Sequence, residues 1–184
     1  MIEELILASA SPRRAKILEM MGVEFRVVIP DVEELMFIDD SKTTVEVNSK
    51  LKLEWCMARN SNSAIIAADT VVDFDGCCIT KPESMDAAYK MIAKLAGRKH
   101  RVYTGVAMWR PDEDIRVVVD ETDIIFKPLD EDGIKKYFEL VNPLDKAGAY
   151  DADQYGDLLI ESYNGSHTNI MGLPEEVVAK WLGM

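Results

Sequence analysis

The sequence predicts an α/β protein with a mixed central sheet and a cleft. Two observations predict this class: apolar strand-like runs alternate with amphipathic helical segments through the first half of the chain, and longer β segments dominate the middle. The chain has 184 residues, enough for one domain or for two small lobes that share a cleft. It contains no internal repeat, low-complexity tract or linker, so we expect one domain over residues 1–184.

Short apolar runs and helical periodicity define the elements of the first half. Ser11–Pro12 is typical of a helix N-cap followed by proline at the first helical position, and this helix ends near Gly22. Asp75–Gly76 predicts a hairpin whose return strand ends at Lys81–Pro82. The other segments are strands at Leu5–Ala8, Phe25–Ile29 and Ala64–Ala68, the last extended by Val71–Phe74, and a helix at Val45–Ala58.

The second half of the chain contains two long β segments between helices. Arg110–Asp112 joins these two segments as a turn. A proline lies in the first turn of the terminal helix, where its missing N–H is not needed for an intrahelical hydrogen bond. The predicted strands are His100–Trp109, Arg116–Phe126 and Leu158–Ser162, and the predicted helices are Met85–Leu95, Asp130–Leu140 and Pro174–Leu182.

Charge and composition disfavour several classes of protein. The formal net charge is −12, which disfavours binding to polynucleotides and to anionic membranes. No apolar run approaches the roughly 18 residues of a membrane helix, and the acidic segment Met1–Glu4 lacks the basic region of a signal peptide. The three cysteines, an odd number without a CxxC pattern, are typical of reduced thiols. We therefore expect a cytoplasmic protein that binds neither nucleic acid nor membranes.

The most informative segment is Leu7–Arg14, with the sequence LASASPRR. It joins a strand to the start of a helix through small hydroxyl residues, and Arg13 and Arg14 occupy the first helical turn. Free backbone N–H groups, the positive end of the helix and two guanidinium groups then meet at one point. Such a positive site on an acidic protein predicts that the site binds an anion, and phosphate fits best.

Asp69 ends a buried strand, where α/β folds place their functional groups. A carboxylate there can bind Mg²⁺ or activate a water as a general base, and it can equally cap the following turn. Lys52, Lys81 and Glu33–Glu34, taken singly, fit solvated surface charges as well as site residues. The segment Ala147–Tyr155 combines small and polar residues, which fits a loop against a ligand or a plain turn.

Taken in order along the chain, these pieces resemble the Maf family of nucleotide pyrophosphatases. The resemblance spans nearly the whole chain, and it depends on the order and spacing of the pieces, since no single one is decisive. The matching segments are Leu7–Arg14 (LASASPRR), Pro30–Glu34 (PDVEE), Lys52, Ala68–Val72 (ADTVV), Lys81–Pro82, Tyr103–Ala107 (YTGVA), Asp145–Tyr150 (DKAGAY) and Gly172–Pro174 (GLP).

The resemblance implies a fold and an activity. The implied fold is a mixed, twisted α/β sheet in two lobes around a central cleft, similar to that of the inosine triphosphatases. The implied reaction is hydrolysis of a nucleoside triphosphate to the monophosphate and pyrophosphate with a divalent metal, Mg²⁺ or Mn²⁺. Many members of the family prefer dTTP and UTP and also act on modified pyrimidine nucleotides, and homodimers are common.

The resemblance also implies roles for individual residues. Asp69 matches the catalytic aspartate that accepts a proton, and with Glu34 it is expected to hold the metal. Glu34 aligns better than its neighbour because it ends an Asp-x-x-Glu pattern. Arg13 and Thr70 match positions that govern substrate choice. The other polar positions of the site, including the cations that hold the triphosphate, are matched by Ser9, Arg14, Lys52 and Lys81.

The sequence departs from the family pattern after the Ala-Gly-Ala stretch. Where the family has Tyr-x-Ile-Gln-Gly, this chain has Tyr150–Gly156 (YDADQYG), so Asp153 aligns with the glutamine and Gln154 follows one place later. Glutamine can both donate and accept a hydrogen bond at the edge of a base, whereas ionised aspartate only accepts. Either Gln154 fills the position through a small loop shift, or the base preference differs.

Two alternatives to a pyrimidine nucleotide pyrophosphatase stay open. The first is an inosine/xanthosine-type enzyme, which cleaves the same bond in a purine nucleotide. The second is a nucleotide-binding regulator of cell division with little catalysis. The presence of Asp69, Lys52, Lys81 and Glu34 disfavours the regulator, because binding alone does not need a general base.

Overall fold

The computed structural model describes residues 4–184 as seven strands, seven α-helices and a short 3₁₀ helix. The strands are β1 (Leu5–Ala8), β2 (Arg26–Val28), β3 (Ala64–Phe74), β4 (Cys77–Ile79), β5 (Lys99–Trp109), β6 (Arg116–Phe126) and β7 (Ile160–Asn164). The helices are α1 (Pro12–Met20), α2 (Ser41–Met57), α3 (Met85–Leu95), α4 (Glu131–Leu140), α5 (Gly156–Leu159), α6 (His167–Met171), α7 (Glu175–Leu182) and the 3₁₀ helix Ala147–Ala149.

The strands form one mixed sheet in the spatial order β2-β1-β3-β5-β6-β7, and β4 also pairs with β3. β1 runs parallel to β2 and to β3, whereas the β3–β5, β5–β6 and β6–β7 pairs are antiparallel. The parallel pairs come from the strand–helix–strand segments of the first half, and the antiparallel pairs come from the long strands of the middle. The predicted mixed α/β class is therefore confirmed.

β3 has a gap along one of its edges. β5 pairs along the opposite edge, over residues 65–73. On the gapped edge, β1 pairs with Ala64–Ala67 and β4 pairs with Val72–Phe74. No strand within residues 4–184 pairs with the part of β3 between these two stretches at this edge, so Asp69 and Thr70 lie at an opening in the sheet.

Three apolar clusters pack against the sheet. Helix α2 covers one face, where Leu53 clusters with Ile65. Helices α1 and α7 cover the other face, where Leu18 and Trp181 share a cluster. Helices α3 and α4 pack near the far ends of β3, β5 and β6 in a third cluster that includes Phe74. Full burial of each such side chain contributes about 1.5–3 kcal/mol, so the clusters hold the helices on the sheet.

Helix α2 begins at Ser41 rather than at the predicted Val45. The Asp40 side chain caps the helix by accepting a hydrogen bond from the Thr43 backbone N–H at 3.0 Å. Such a cap satisfies one of the free N–H groups of the first turn, which lets polar residues of modest helix propensity form that turn. The predicted start is wrong because it follows the first apolar residue and not the cap.

The predicted strand Leu158–Ser162 is wrong at its start. Its first two residues belong to α5, and β7 begins at Ile160. The register between β6 and β7 is irregular at this end of the pair, which displaces the strand from its predicted position. The predictions also lack α6, a five-residue helix whose cap is Ser166, with its hydroxyl accepting a hydrogen bond from the Asn169 N–H.

Three further features bear on the sequence analysis. Asp75 and Gly76 form the predicted hairpin turn, with positive φ angles of 55° and 80° that aspartate and glycine tolerate. All three cysteines are free thiols, at Cys56, Cys77 and Cys78. Within the described part of the chain, residues 4–184, no helix is long and apolar enough to cross a membrane.

Candidate active site

A cavity of about 600 Å³ opens at the gap in β3, between the start of α1 and the segment that joins α4 to α5. Nine of the ten predicted site residues line it, although they come from distant parts of the chain. These residues are Ser9, Arg13, Arg14, Glu34, Lys52, Asp69, Thr70, Lys81 and Gln154. The tenth, Asp153, lies outside the lining, and its carboxylate pairs with Lys16 Nζ at 2.6 Å.

Asp69 is buried against α2, with 6% of its surface exposed. Its Oδ1 accepts a hydrogen bond from Lys52 Nζ at 2.7 Å. The same ammonium lies 2.6 Å from Glu34 Oε1, and the Lys52 side chain is only 10% exposed. One buried ammonium therefore faces two carboxylates, one from β3 and one from the loop that follows β2.

The close approach of α2 to β5 makes these contacts possible. Gly105 is the β5 partner of Asp69 in the sheet register, so the two positions share the face that α2 covers. A Cβ atom at Gly105 would lie 2.6 Å from the Val45 carbonyl carbon and closer still to its oxygen. The missing side chain therefore lets α2 bring Lys52 within reach of Asp69.

Charge around Glu34 favours its ionised form. Partial burial alone would raise the pKa of Glu34. The Lys52 ammonium outweighs that effect, and Lys81 and Arg14 add to it at longer range, so the pKa lies below its ordinary value. The Glu34 side chain, which is about half exposed, thus faces the cavity as a carboxylate at neutral pH.

Glu34 and Asp69 form a donor set that fits a divalent cation. Proteins hold Mg²⁺ through one or two carboxylates together with phosphate oxygens of the substrate, and these two carboxylates face a common point at Lys52. Among residues 4–184, no group of three or more His, Cys, Asp or Glu side chains is arranged to hold a metal.

Arg14 is buried next to Thr70, on the face of β3 opposite to that of Asp69. Its guanidinium donates hydrogen bonds to the Gly172 carbonyl oxygen at 2.7 Å, and to Ser9 Oγ and Thr70 Oγ1 at 3.0 Å each. Burial lowers the pKa of Arg14, and the Asp69 carboxylate opposes that effect. Because all three partners are neutral, the positive charge of Arg14 stays available to an anion in the cavity.

Asp151 links Arg13 to the segment that carries Gln154. Its Oδ2 accepts a hydrogen bond from Arg13 Nη1 at 2.9 Å. Its Oδ1 accepts from the backbone N–H groups of Asp153 and Gln154 at 3.0 and 3.3 Å. The backbone N–H of Asp151 donates to the Tyr137 hydroxyl at 2.8 Å. These contacts fix a turn in which Gln154 lines the cavity and Asp153 does not.

Sequence reasoning misses three polar residues of this site, Asn48, Lys146 and Asp151. Asn48 Nδ2 donates to Asp69 Oδ2 at 3.1 Å, and Lys146 Nζ lies 3.6 Å from Asp151 Oδ2. Helical spacing could have found Asn48, because it lies one turn before Lys52 on the same face of α2. No comparable spacing marks Asp151, which is identified only by its contacts in the folded chain.

A family model described as "Maf-like protein" matches residues 4–184. The chain belongs to the Maf family. This confirms the resemblance seen in the sequence. Relatives of this Maf protein include the dTTP/UTP pyrophosphatase of Thermotoga maritima, which is 41% identical over 97% of this chain and 87% of its own length. The dTTP/UTP pyrophosphatase of Akkermansia muciniphila is 38% identical over 99% of this chain and 96% of its own.

One solved structure shows the same fold at lower identity. The Staphylococcus aureus Ham1 protein matches this Maf protein with a TM-score of 0.58, covering 98% of each chain. Its sequence is 18% identical, so the likeness concerns the fold alone. It agrees with the predicted mixed α/β fold, and it carries no information about the substrate of this Maf protein.

Proposed function

We propose that this Maf protein is a nucleoside triphosphate pyrophosphatase that acts on dTTP, UTP or modified pyrimidine nucleotides. The observation that carries the proposal is the convergence of the Asp69 carboxylate with cationic side chains in a single cavity. The cations that line the cavity are Arg13, Arg14, Lys52, Lys81 and Lys146, beside the carboxylates of Glu34, Asp69, Asp145 and Asp151. The names of the relatives from T. maritima and A. muciniphila support the same substrates.

The cationic groups bind the triphosphate. Arg14, held by neutral partners, contacts phosphate oxygens near the start of α1, where free backbone N–H groups add to the positive potential. Lys81 has an exposed side chain and contacts the phosphates from the segment that follows β4. Gln154 contacts the edge of the base, because its amide can both donate and accept a hydrogen bond.

Asp69 acts as the general base. It accepts a proton from a water that attacks the α-phosphorus. As the new bond from phosphorus to the water oxygen forms, the bond from the α-phosphorus to the bridging oxygen breaks, and pyrophosphate leaves with that oxygen. The surrounding cations stabilise the negative charge that develops on the phosphate oxygens, which is the main requirement of phosphoryl chemistry.

Glu34 and Asp69 would hold a divalent cation, Mg²⁺ or Mn²⁺, together with phosphate oxygens of the substrate. When bound, the cation neutralises charge on the reacting phosphate. Lys52, within 2.7 Å of both carboxylates, limits the repulsion between them and keeps them directed at one point. The chain thus supplies both the ligands and the charge balance of the proposed site.

The direct test is pyrophosphate release from a panel of nucleotides. The purified protein is incubated with Mg²⁺ or Mn²⁺ and dTTP, UTP, CTP, GTP, ITP, XTP or methylated pyrimidine nucleotides. We expect release from dTTP and UTP, and loss of release when EDTA removes the metal. Release from ITP and XTP alone would identify the purine-type enzyme. Binding without release from any nucleotide would identify the regulator.

Gln154→Ala is expected to lower kcat/KM for the preferred nucleotide by about fivefold, because the base loses a hydrogen bond worth about 1 kcal/mol. Asp153→Ala is the matched comparison. Its carboxylate pairs with Lys16 outside the cavity, so we expect its kcat/KM to stay within about threefold of wild type. Steady-state kinetics with the preferred nucleotide measure both. A larger loss in the Asp153 variant would place that residue, and not Gln154, at the base.

We also propose that the enzyme is a cytoplasmic homodimer. The family resemblance supports dimerisation, and the free thiols at Cys56, Cys77 and Cys78 are typical of a reducing compartment. Sedimentation equilibrium of the intact protein measures its mass in solution. A monomer at micromolar concentration would contradict the dimer.

A further inference from the structure

We infer that Asn48 is a positioning residue that holds the Asp69 carboxylate and the Glu34 loop in one fixed arrangement. The inference rests on the proposed function, in which Asp69 and Glu34 are the two working carboxylates. Asn48 touches neither substrate nor metal in this assignment. It acts through the groups to which it is hydrogen-bonded.

Asn48 is 1% exposed, and both the nitrogen and the oxygen of its side-chain amide form hydrogen bonds. Its Nδ2 donates hydrogen bonds to Asp69 Oδ2 at 3.1 Å and to the Leu35 carbonyl oxygen at 2.9 Å. Its Oδ1 accepts a hydrogen bond from the Leu35 backbone N–H at 2.8 Å. One buried side chain therefore ties a strand residue to the backbone of a loop, using both of its N–H donors.

The contact with Leu35 matters because that residue directly follows Glu34. The Leu35 side chain is 45% exposed, so apolar burial holds this part of the loop only weakly. The two hydrogen bonds from Asn48 to the Leu35 backbone supply the missing constraint. They fix the backbone position next to Glu34 and hence the direction from which the Glu34 carboxylate reaches Lys52.

The contact with Asp69 completes the orientation of its carboxylate. Lys52 donates to Oδ1 and Asn48 donates to Oδ2, so both oxygens are held and rotation of the carboxylate plane is restricted. The two donors lie one helical turn apart on α2, on the face that the missing side chain at Gly105 brings close to the sheet. Asparagine fits this position because it donates to Asp69 and Leu35 while accepting from Leu35, which aspartate and leucine cannot do.

Two variants remove different sets of these hydrogen bonds. Asn48→Asp keeps an acceptor for the Leu35 N–H but loses both N–H donors, the one to Asp69 and the one to the Leu35 carbonyl oxygen, and it sets a second carboxylate beside Asp69. Asn48→Leu removes every hydrogen bond at a similar volume. Thr44→Val is the matched control, because the buried Thr44 hydroxyl holds the same loop at Phe37, accepting from its N–H at 3.1 Å, without touching Asp69.

We expect both Asn48 variants to lower kcat by about 10- to 100-fold, with KM changed by less than about threefold, as is typical when a partner of a working ligand is removed. Thr44→Val is expected to stay within about threefold of wild type in both constants. Hydrogen exchange of the Leu35 amide adds a readout that does not depend on activity. It should accelerate at least about tenfold in Asn48→Leu, accelerate less in Asn48→Asp, which keeps the acceptor for this amide, and stay near wild type in Thr44→Val.

Three results would overturn the inference. The first is wild-type kcat in folded Asn48→Leu and Asn48→Asp proteins. The second is an equal loss of kcat in Thr44→Val, which would point to general packing of α2. The third is an unchanged Leu35 exchange rate in Asn48→Leu. If the wild-type protein releases no pyrophosphate from any nucleotide, the proposed function fails, and the Leu35 exchange rates still decide whether Asn48 holds the loop.

Discussion

Asp69→Asn is expected to lower kcat for pyrophosphate release by about 100- to 10,000-fold, the range that a general base contributes. Asparagine has nearly the same shape but cannot accept the proton from the attacking water. Nucleotide binding is expected to persist, because Arg14 and Lys81 are left in place. Pyrophosphate release under saturating substrate measures the first effect, and equilibrium binding of a non-hydrolysable nucleotide measures the second.

Asp73→Asn is the matched control for this prediction. Asp73 lies on the same strand, β3, but outside the cavity lining, and its Oδ2 accepts a hydrogen bond from Ser41 Oγ at 2.6 Å. We expect its kcat to stay within about threefold of wild type, because the substitution leaves every group of the site in place. Full activity of the Asp69 variant, or an equal loss in both variants, would remove Asp69 from the mechanism.

Gly105→Ala is expected to lower the free energy of unfolding by about 3 kcal/mol and kcat by at least about tenfold. The added Cβ would overlap the Val45 carbonyl group of α2, which is backbone and cannot move aside as a side chain can. Relief of the overlap displaces α2 from the sheet. That movement draws Asn48 and Lys52 away from Asp69 together. Denaturant unfolding and steady-state kinetics measure the two effects.

Gly156→Ala tests whether the expected destabilisation of Gly105→Ala comes from the overlap with the Val45 carbonyl group. A Cβ atom at Gly156 meets its nearest neighbour, the Asp151 carbonyl oxygen, at 3.5 Å, which is an ordinary contact distance. We expect a change of less than about 1 kcal/mol in its free energy of unfolding. An unchanged denaturation midpoint for Gly105→Ala would contradict the close approach of α2 to β5.

Elements with a strong local signal could be predicted from the sequence. β1 and α3 have their predicted bounds, because one is a short apolar run and the other has periodic apolar residues after the Ser84 cap. The start of α2 and the five-residue α6 could not be predicted in this way. Both depend on a single polar cap, Asp40 or Ser166, and have no long apolar pattern.

The predicted site residues converge at the gap in β3, but not because all of them lie at the ends of elements. The prediction that Asp69 ends a strand is wrong, since β3 continues to Phe74; the site opens there because no strand within residues 4–184 pairs with β3 beside Asp69 at this edge. The choice between Asp153 and Gln154 could not be made from sequence. It depends on a turn that Asp151 fixes through contacts with Arg13 and with the backbone. Helical spacing places Asn48 on the same face of α2 as Lys52, but its contacts with Asp69 and Leu35 are visible only in the folded chain.

The groups proposed to act on the phosphate and the group proposed to contact the base lie on different kinds of structure. Asp69, Asn48 and Lys52 come from a central strand and a helix seated on it, whereas Gln154 belongs to a surface turn between α4 and α5. Exchanges of residues within that turn can therefore alter which base fits without displacing the groups that act on the phosphate. A library of variants confined to residues 152–155, screened against purine and pyrimidine nucleotides, is the natural starting point for changing substrate choice in this enzyme.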